Sequence, residues 1–144
     1  MENTAVDTNI VIAGLLEWHE HHARALAVLL AAQGATSGMI LPLPVLLESY
    51  SVLTRLPAPY RLSARTAHDL LRLALSDKSH VVGAATTEAW PELKSAAAQG
   101  TSGGSIYDAH ILTCAKAAGA RRFVTFNSKD FLRLDLGQIE LVEP

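Results

Sequence analysis

Hydrophobic residues in this chain gather in short runs separated by segments with helical spacing. The first run, TAVDTNIVIA over residues 4–13, is rich in β-branched side chains, and GMILPLP over residues 38–44 is a second run of this kind. Short apolar runs of such composition are typical of buried strands. We therefore predict a strand over residues 4–13, ending at Gly14, and a second strand that is cut off by Pro42 and Pro44.

The rest of the chain continues the alternation of helix and strand. Apolar residues recur three and four positions apart in five segments, which predicts helices over residues 19–34, 45–56, 63–75, 86–99 and 106–118. Further short apolar runs predict strands over residues 80–84, 121–126 and 139–142. Strands that alternate with helices of this length predict an α/β fold with a central, mostly parallel sheet and helices on both faces.

Length and composition favour one folding unit. The chain has 144 residues, of which 49% are hydrophobic and 18% are charged, and its mean hydropathy is +0.21. A chain of this size and apolar content can fill one core, and it contains no repeat or low-complexity linker. We expect a single domain over residues 1–144.

Charge and cysteine content narrow the functional classes. The net charge is -2, so no overall field attracts a polyanion, and any contact with nucleic acid must be local. The single cysteine, Cys114, cannot form an internal disulfide. No apolar run approaches the length of a membrane span, and the N-terminal residues lack the features of a secretory signal. We expect a cytoplasmic protein that does not contact membranes.

Three carboxylates fall where the pattern calls for apolar side chains. Asp7 interrupts the first apolar run, and Glu48 lies on the apolar side of its predicted helix. Asp108 is followed by Ile111 and Leu112 at helical spacing, so its side chain borders the apolar stripe. An ionised carboxylate buried without a partner costs several kcal/mol, and few Lys or Arg residues lie near these positions in sequence. A divalent cation is a suitable partner for them.

The predicted topology brings these acids to one place. In an open parallel sheet, the carboxyl ends of the strands and the helix starts that follow them share one edge, where ligands bind. The segment TFNSKDF, which contains Asn127 and Asp130, also follows a predicted strand. Mg²⁺ and Mn²⁺ prefer hard oxygen ligands. A helix cap or a rim salt bridge is the alternative explanation for any one carboxylate, but it is less favoured for four carboxylates at the same edge.

Four segments resemble those of a known family. VDTNIVIA, LPVLLESYSVLTRL, GGSIYDAHILTCAKAAGA and FVTFNSKDF follow one another in the order and spacing of PIN-domain ribonucleases, specifically the VapC-type toxins of bacterial toxin–antitoxin systems. The resemblance implies a PIN-like single domain in which Asp7, Glu48 and Asp108 bind the metal and serve catalysis. The fourth acid comes from NSKDF, where Asn127 stands in a position that is often Asp in the family. We assign the fourth position to Asp130, with Asn127 as the alternative.

The resemblance also implies supporting residues, a cofactor and partners. Thr8, Asn9, Ser105 and Asn127 are expected to orient the metal ligands. The implied activity is hydrolysis of RNA phosphodiester bonds with Mg²⁺ or Mn²⁺, as an endoribonuclease toxin that a cognate antitoxin neutralises. The toxin is expected to be a homodimer. Apolar surface around residues 46–56 and 70–75 suits a protein partner.

Other interpretations remain open from the sequence. A haloacid-type phosphatase also uses an Asp after the first strand, but it needs a second Asp at the position of Asn9. A PIN-like module that binds RNA or a partner without cleaving is the second alternative, because Asn127 carries no charge. The histidines of WHEHH lack the spacing of a zinc protease, although His21 or His22 could touch RNA. Trp18 is assigned to packing, with stacking on bases as the alternative.

Overall fold

Five short strands form one parallel sheet in a computed structural model that describes residues 1–144. In chain order, the strands are β1 (Thr4–Val6), β2 (Met39–Pro42), β3 (Ser79–Val82), β4 (Arg122–Val124) and β5 (Glu140–Val142). Their order across the sheet is β3-β2-β1-β4-β5, and every neighbouring pair is parallel. The predicted parallel α/β sheet is confirmed.

Seven helices connect the strands. They are α1 (Thr8–Leu15), α2 (His22–Gly34), α3 (Leu43–Thr54), α4 (Ala64–Leu75), α5 (Ala89–Ala98), α6 (Ser105–Ala117) and α7 (Ser128–Phe131), and a 3₁₀ turn at Thr86–Glu88 precedes α5. The chain moves outward from β1 to β2 and β3, then returns to place β4 on the other side of β1. Because crossovers between parallel strands are right-handed, this reversal puts helices on both faces of the sheet. None of the helices is both long and apolar enough to cross a membrane.

The predicted strand over residues 4–13 was wrong beyond Val6. Asp7 ends the strand and caps α1, since its Oδ1 accepts a hydrogen bond of 2.7 Å from the backbone N–H of Thr8. Asp is a preferred residue at this position because it satisfies an N–H group that has no partner within the helix. Both segments are buried, and a buried helix and a buried strand give the same continuous apolar run.

The packing around β1 fixes the elements that carry the acidic residues. All three residues of β1 are fully buried, and α1 adds Ile10 and Val11 to the same core. Gly14 lets α2 approach α1 closely, because a Cβ at this position would overlap the side chain of Leu29. The four-residue helix α7 is held by Phe131, whose buried ring packs on Phe123 with 4.8 Å between the ring centroids.

Candidate active site

The four acids proposed from the sequence line one cavity of about 520 Å³ at the reversal point of the sheet. Asp7 follows β1 directly, Glu48 lies on α3, Asp108 is in the first turn of α6, and Asp130 is on α7. The cavity lies where the strand order reverses between β1 and β4, which is where open α/β sheets bind ligands. The structure thus brings together all four acids that were proposed from the sequence.

Asp7 is the most firmly held of the four. Its Oδ1 accepts from the Thr8 backbone N–H at 2.7 Å, and its Oδ2 accepts from the Thr125 hydroxyl at 2.8 Å and from the Asn9 amide nitrogen at 3.5 Å. The residue is 8% exposed, so these bonds form in a largely dry environment. Hydrogen bonds of this kind fix the orientation of a carboxylate before any ligand arrives.

Thr125 connects three parts of the site, and the sequence analysis did not identify it. Its buried hydroxyl donates to Asp7 and accepts from the Asn9 amide at 3.1 Å and from the Asn127 backbone N–H at 3.0 Å. The Asn9 amide oxygen accepts from the backbone N–H of Phe126 at 3.1 Å, which joins α1 to the end of β4. The only signal in the sequence was a polar residue at the end of an apolar strand.

Burial and mutual repulsion raise the pKa values of two acids. Desolvation is the largest cause for Asp7, and the charges of Asp108 and Glu48 add to it. Hydrogen bonds from Thr125 and Thr8 oppose the shift, and the resulting pKa of Asp7 is about 6. The pKa of Asp108 is also raised, first by desolvation and then by the charges of Asp130 and Glu48. Both shifts reflect carboxylates that are held partly out of water and close to one another, with no Lys or Arg in the lining.

The supporting residues divide into two groups. Thr8, Asn9 and Asn127 line the cavity with the acids. Ser105 is the first residue of α6, but it is exposed and does not line the cavity. Thr8 Oγ1 is buried and has no hydrogen-bond partner within the protein. A buried hydroxyl of this kind is usually hydrogen-bonded, so it is available to a ligand or to a water molecule that a ligand carries.

Residues 4–136 match the family model described as the PIN domain. This match covers most of the chain and includes all four acids. The chain belongs to the PIN-domain family. Ribonuclease VapC40 of Mycobacterium tuberculosis is 34% identical over 117 residues, which are 81% of each chain. Membership in this family excludes the haloacid-phosphatase alternative.

Solved structures agree with this PIN-domain fold. VapBC2 from Rickettsia felis, bound to a DNA fragment from its promoter, gives a TM-score of 0.66 at 17% identity and covers 98% of both chains. VapC20 of M. tuberculosis, a sarcin-ricin loop cleaving toxin, gives 0.63 at 19% identity and covers 83% of this chain and 86% of its own. FitAcB from Neisseria gonorrhoeae gives 0.65 at 15% identity, with 96% and 95% coverage. At these identities, the likeness establishes the fold alone.

The lining of the PIN-domain cavity fits a hydrated, hard cation. Five carboxylates line it, from Asp7, Glu20, Glu48, Asp108 and Asp130, and no Lys or Arg does. No three Asp, Glu, His or Cys side chains lie close enough together to hold an ion by themselves. Mg²⁺ is commonly held by one or two carboxylates and keeps several of its waters, so it does not need a closed cage of protein ligands. The oxygen-rich lining and the free hydroxyl of Thr8 are consistent with such binding.

The histidines of WHEHH take different positions. His19 and His21 line the cavity together with the acids. His22 packs inward, with its Nδ1 2.9 Å from the backbone oxygen of Ala13. Cys114 is fully buried on α6. Neither His22 nor Cys114 lines the cavity.

Proposed function

We propose that this PIN domain is a metal-dependent endoribonuclease toxin that hydrolyses RNA phosphodiester bonds and is neutralised by a cognate antitoxin. The observation that carries the proposal is a cluster of carboxylates at the reversal point of the sheet, in which the pKa values of Asp7 and Asp108 are raised and no Lys or Arg lines the cavity. Similarity to a protein named a ribonuclease supports RNA as the substrate.

Asp7, Glu48, Asp108 and Asp130 are the proposed ligands of Mg²⁺ or Mn²⁺. When bound, such an ion supplies Lewis acidity, lowers the pKa of a water and offsets negative charge on the phosphoryl group. Thr125 and the backbone N–H of Thr8 hold the Asp7 carboxylate in one orientation. Asp108, which is only partly buried at the cavity, is placed to accept a proton from the attacking water.

A cleavage assay tests the proposed activity. The purified protein is incubated with end-labelled RNA in Mg²⁺ or Mn²⁺, with and without EDTA, and the products are separated on a denaturing gel. We expect internal cleavage that EDTA abolishes and that excess Mg²⁺ restores. The Asp108→Asn variant, purified in the same way, controls for contaminating ribonucleases. Cleavage that is unaffected by EDTA contradicts the metal dependence.

The same assay separates the nuclease from a silent PIN-like module. The uncharged amide of Asn127 at the end of β4 is the feature that favours the alternative. The incubated samples are also run on a native gel, and a shifted RNA band without cleavage in any metal tested would support the module and reject the enzyme. Asp130 also lines the cavity, so the fourth negative charge is present despite Asn127. This favours the nuclease.

An apolar groove between α3 and α4 is the proposed antitoxin surface. Its volume is about 400 Å³, and its lining includes Leu46, Leu47, Tyr50, Leu71 and Leu75. Exposed apolar grooves of this kind suit an amphipathic helix of a partner. We expect the protein to co-purify with the product of the adjacent small open reading frame. The Leu47→Asp variant is expected to lose this co-purification. Retained binding by Leu47→Asp would place the antitoxin elsewhere.

The homodimer stays a prediction, which light scattering can test.

A further inference from the structure

An exposed pair of aromatic rings lies beside the acidic cavity. Trp18, in the loop between α1 and α2, packs on Tyr60, in the loop between α3 and α4, with 4.3 Å between ring centroids and 32° between planes. Trp18 is 50% exposed and Tyr60 is 45% exposed. We call these two residues the aromatic shelf. The rings support each other but are not covered by the core, so the assignment of Trp18 to packing does not describe it fully.

The loop that carries Trp18 runs directly into the active site. His19 and His21 follow Trp18 in this loop, and both line the cavity with the acids. The Trp18 and His19 rings are 6.2 Å apart between centroids, so the shelf lies next to the cavity wall. A strand of RNA with its phosphate at the acids therefore has exposed aromatic surface within reach of its neighbouring nucleotides.

Two lining residues of the cavity, His21 and Phe126, also contact a cation that lies outside the lining. The His21 ring stacks on Phe126, with 4.8 Å between centroids and 27° between planes. The guanidinium of Arg24 lies 5.3 Å from the centroid of the Phe126 ring and also contacts His21 Nδ1. A cation and hydrogen-bonding imidazoles beside a stacking surface are the combination that single-stranded nucleic-acid sites use. The acids of the cavity, where the phosphate would be held, distinguish this surface from the groove between α3 and α4, whose lining contains no carboxylate.

We propose that the aromatic shelf binds an unpaired nucleobase of the RNA, adjacent to the phosphate that is cleaved. This inference rests on the proposed ribonuclease function and names a subsite for it. Every base has a π face, so stacking tolerates different sequences but requires a base that is not already stacked in a duplex. The shelf therefore selects single-stranded segments or loops over continuous helices.

A binding assay in a cleavage-silent background tests the shelf. Trp18→Ala and Trp18→Phe are each combined with Asp108→Asn, and binding of a fluorescein-labelled, single-stranded oligoribonucleotide of mixed sequence is measured by anisotropy in Mg²⁺. Loss of a stacking partner weakens binding by about 5- to 150-fold, so this loss is expected for Trp18→Ala and for Tyr60→Ala. Trp18→Phe keeps a stacking ring and is expected to bind close to the parent. Melting curves verify that each variant is folded.

Trp90→Ala is the matched control. Trp90 is 79% exposed at the start of α5 and does not line the cavity, so its removal is expected to leave binding unchanged. Unchanged affinity in Trp18→Ala would overturn the shelf, and so would the absence of detectable binding by the parent. The shelf and the enzyme can fail separately. If the single variant Trp18→Ala cleaves RNA at the same rate as the wild-type protein, only the shelf is rejected. If the wild-type protein binds RNA but does not cleave it, only the enzyme is rejected.

Tryptophan fluorescence gives a second, direct readout. The chain has two tryptophans, so Trp90→Phe in the Asp108→Asn background leaves Trp18 as the only tryptophan, which can be excited selectively over the tyrosines. We expect its emission to be quenched by the single-stranded oligoribonucleotide and not by the same sequence as a duplex. Equal quenching by both, or no quenching by either, would contradict stacking of an unpaired base. Quenching by the antitoxin alone would assign the shelf to a protein partner and reject the proposal.

Discussion

A single hydroxyl, that of Thr125, links the most buried acid of the site to the end of β4. It donates one hydrogen bond to the carboxylate of Asp7 and accepts hydrogen bonds from the Asn9 amide and from the backbone N–H of Asn127. A threonine in a strand is ordinary, because β-branched residues favour strands. The sequence therefore offered no reason to single it out. Asp7 and Asp108 could be identified because a charge in an apolar pattern requires an explanation. Glu48 was chosen on the same ground, but it is exposed on α3, so its expected contact with apolar surface was wrong although it does line the cavity.

Replacing Thr125 with Val tests its role as a positioning residue. The change keeps the shape but removes the hydroxyl, so cleavage is expected to fall by about 10- to 100-fold. The pKa of Asp7 should rise further, because the Thr125 hydrogen bond lowers it. The acidic limb of the pH–rate profile should then move to higher pH. Thr125→Ser restores the hydroxyl and is expected to recover most of the activity. An unshifted limb in Thr125→Val would show that the hydroxyl only stabilises the fold.

Replacing Asp108 with Asn separates catalysis from stability. The variant is expected to lose cleavage, because it removes a proposed ligand and proton acceptor. It is also expected to melt at a higher temperature in the absence of metal, since it removes repulsion from Asp130 and Glu48. Asp108 is partly exposed and solvent screens its charge, so the rise should be only about 1–4 °C. Calorimetry with EDTA measures it, and retained Mg²⁺-dependent cleavage would remove Asp108 from the site.

The elements show where sequence patterns suffice and where they fail. Helix α4 begins one residue after the predicted start, because Ser63 caps it, and α2 ends at Gly34 as predicted. The segment over residues 8–13 was assigned to the wrong element, because burial on all sides erases the period that distinguishes helix from strand. The four-residue helix α7 was not predicted. It is too short for a periodic signal, and the packing of Phe131 on Phe123 positions it.

The position of α7 favours Asp130 over Asn127 as the fourth acid. Asp130 lies near enough to raise the pKa of Asp108, whereas the hydrogen bond of Asn127 to Thr125 comes from its backbone. Asp130→Asn is therefore expected to raise the Mn²⁺ concentration for half-maximal cleavage by about 10-fold. The matched control is Asn127→Ala, which keeps the backbone N–H and should remain close to wild type. The reverse pattern would assign the fourth position to Asn127.

At the scale of the whole molecule, the sequence predicted the fold class, but it did not predict the order of the strands or which loops contact each other. Alternating elements imply a parallel sheet, and the shared edge of that sheet implied that distant acids converge. The strand order is set by packing and crossover geometry, which no single segment encodes. The same holds for the aromatic shelf, because Trp18 and Tyr60 lie on loops that meet only when α1 and α3 pack together.

The stability of the metal-free protein should depend on pH through Asp7. Its pKa is about 6 in the folded protein against 3.8 ordinarily, so the folded state binds a proton more tightly than the unfolded state. Ionising Asp7 in the folded protein therefore lowers the free energy of unfolding. This cost is absent below pH 3.8, grows as the pH rises to about 6, and reaches about 3 kcal/mol at neutral pH. With EDTA present, the free energy of unfolding should therefore fall as the pH rises from about 4 to about 6, and it should level off above this range.

Asp7→Asn isolates this contribution from the titration of other groups. Denaturant unfolding of both proteins at each pH gives the difference, and the pH slope should be smaller in the variant. Addition of Mg²⁺ to the wild type should raise its stability more at neutral pH than at acidic pH, because the ion competes with the proton for the same carboxylates. Equal slopes in the two proteins would show that Asp7 does not carry the excess negative charge.

Anomalous scattering from crystals soaked in MnCl₂ is the most direct measurement of the central claim, that separated acids bind one divalent cation at the reversal point of the sheet. We expect an anomalous peak in the cavity, bonded directly or through water to carboxylate oxygens of Asp7 and Asp108, and lost in crystals of Asp108→Asn. A fully soaked crystal with no peak among these acids, or with manganese bound only elsewhere, would contradict the account.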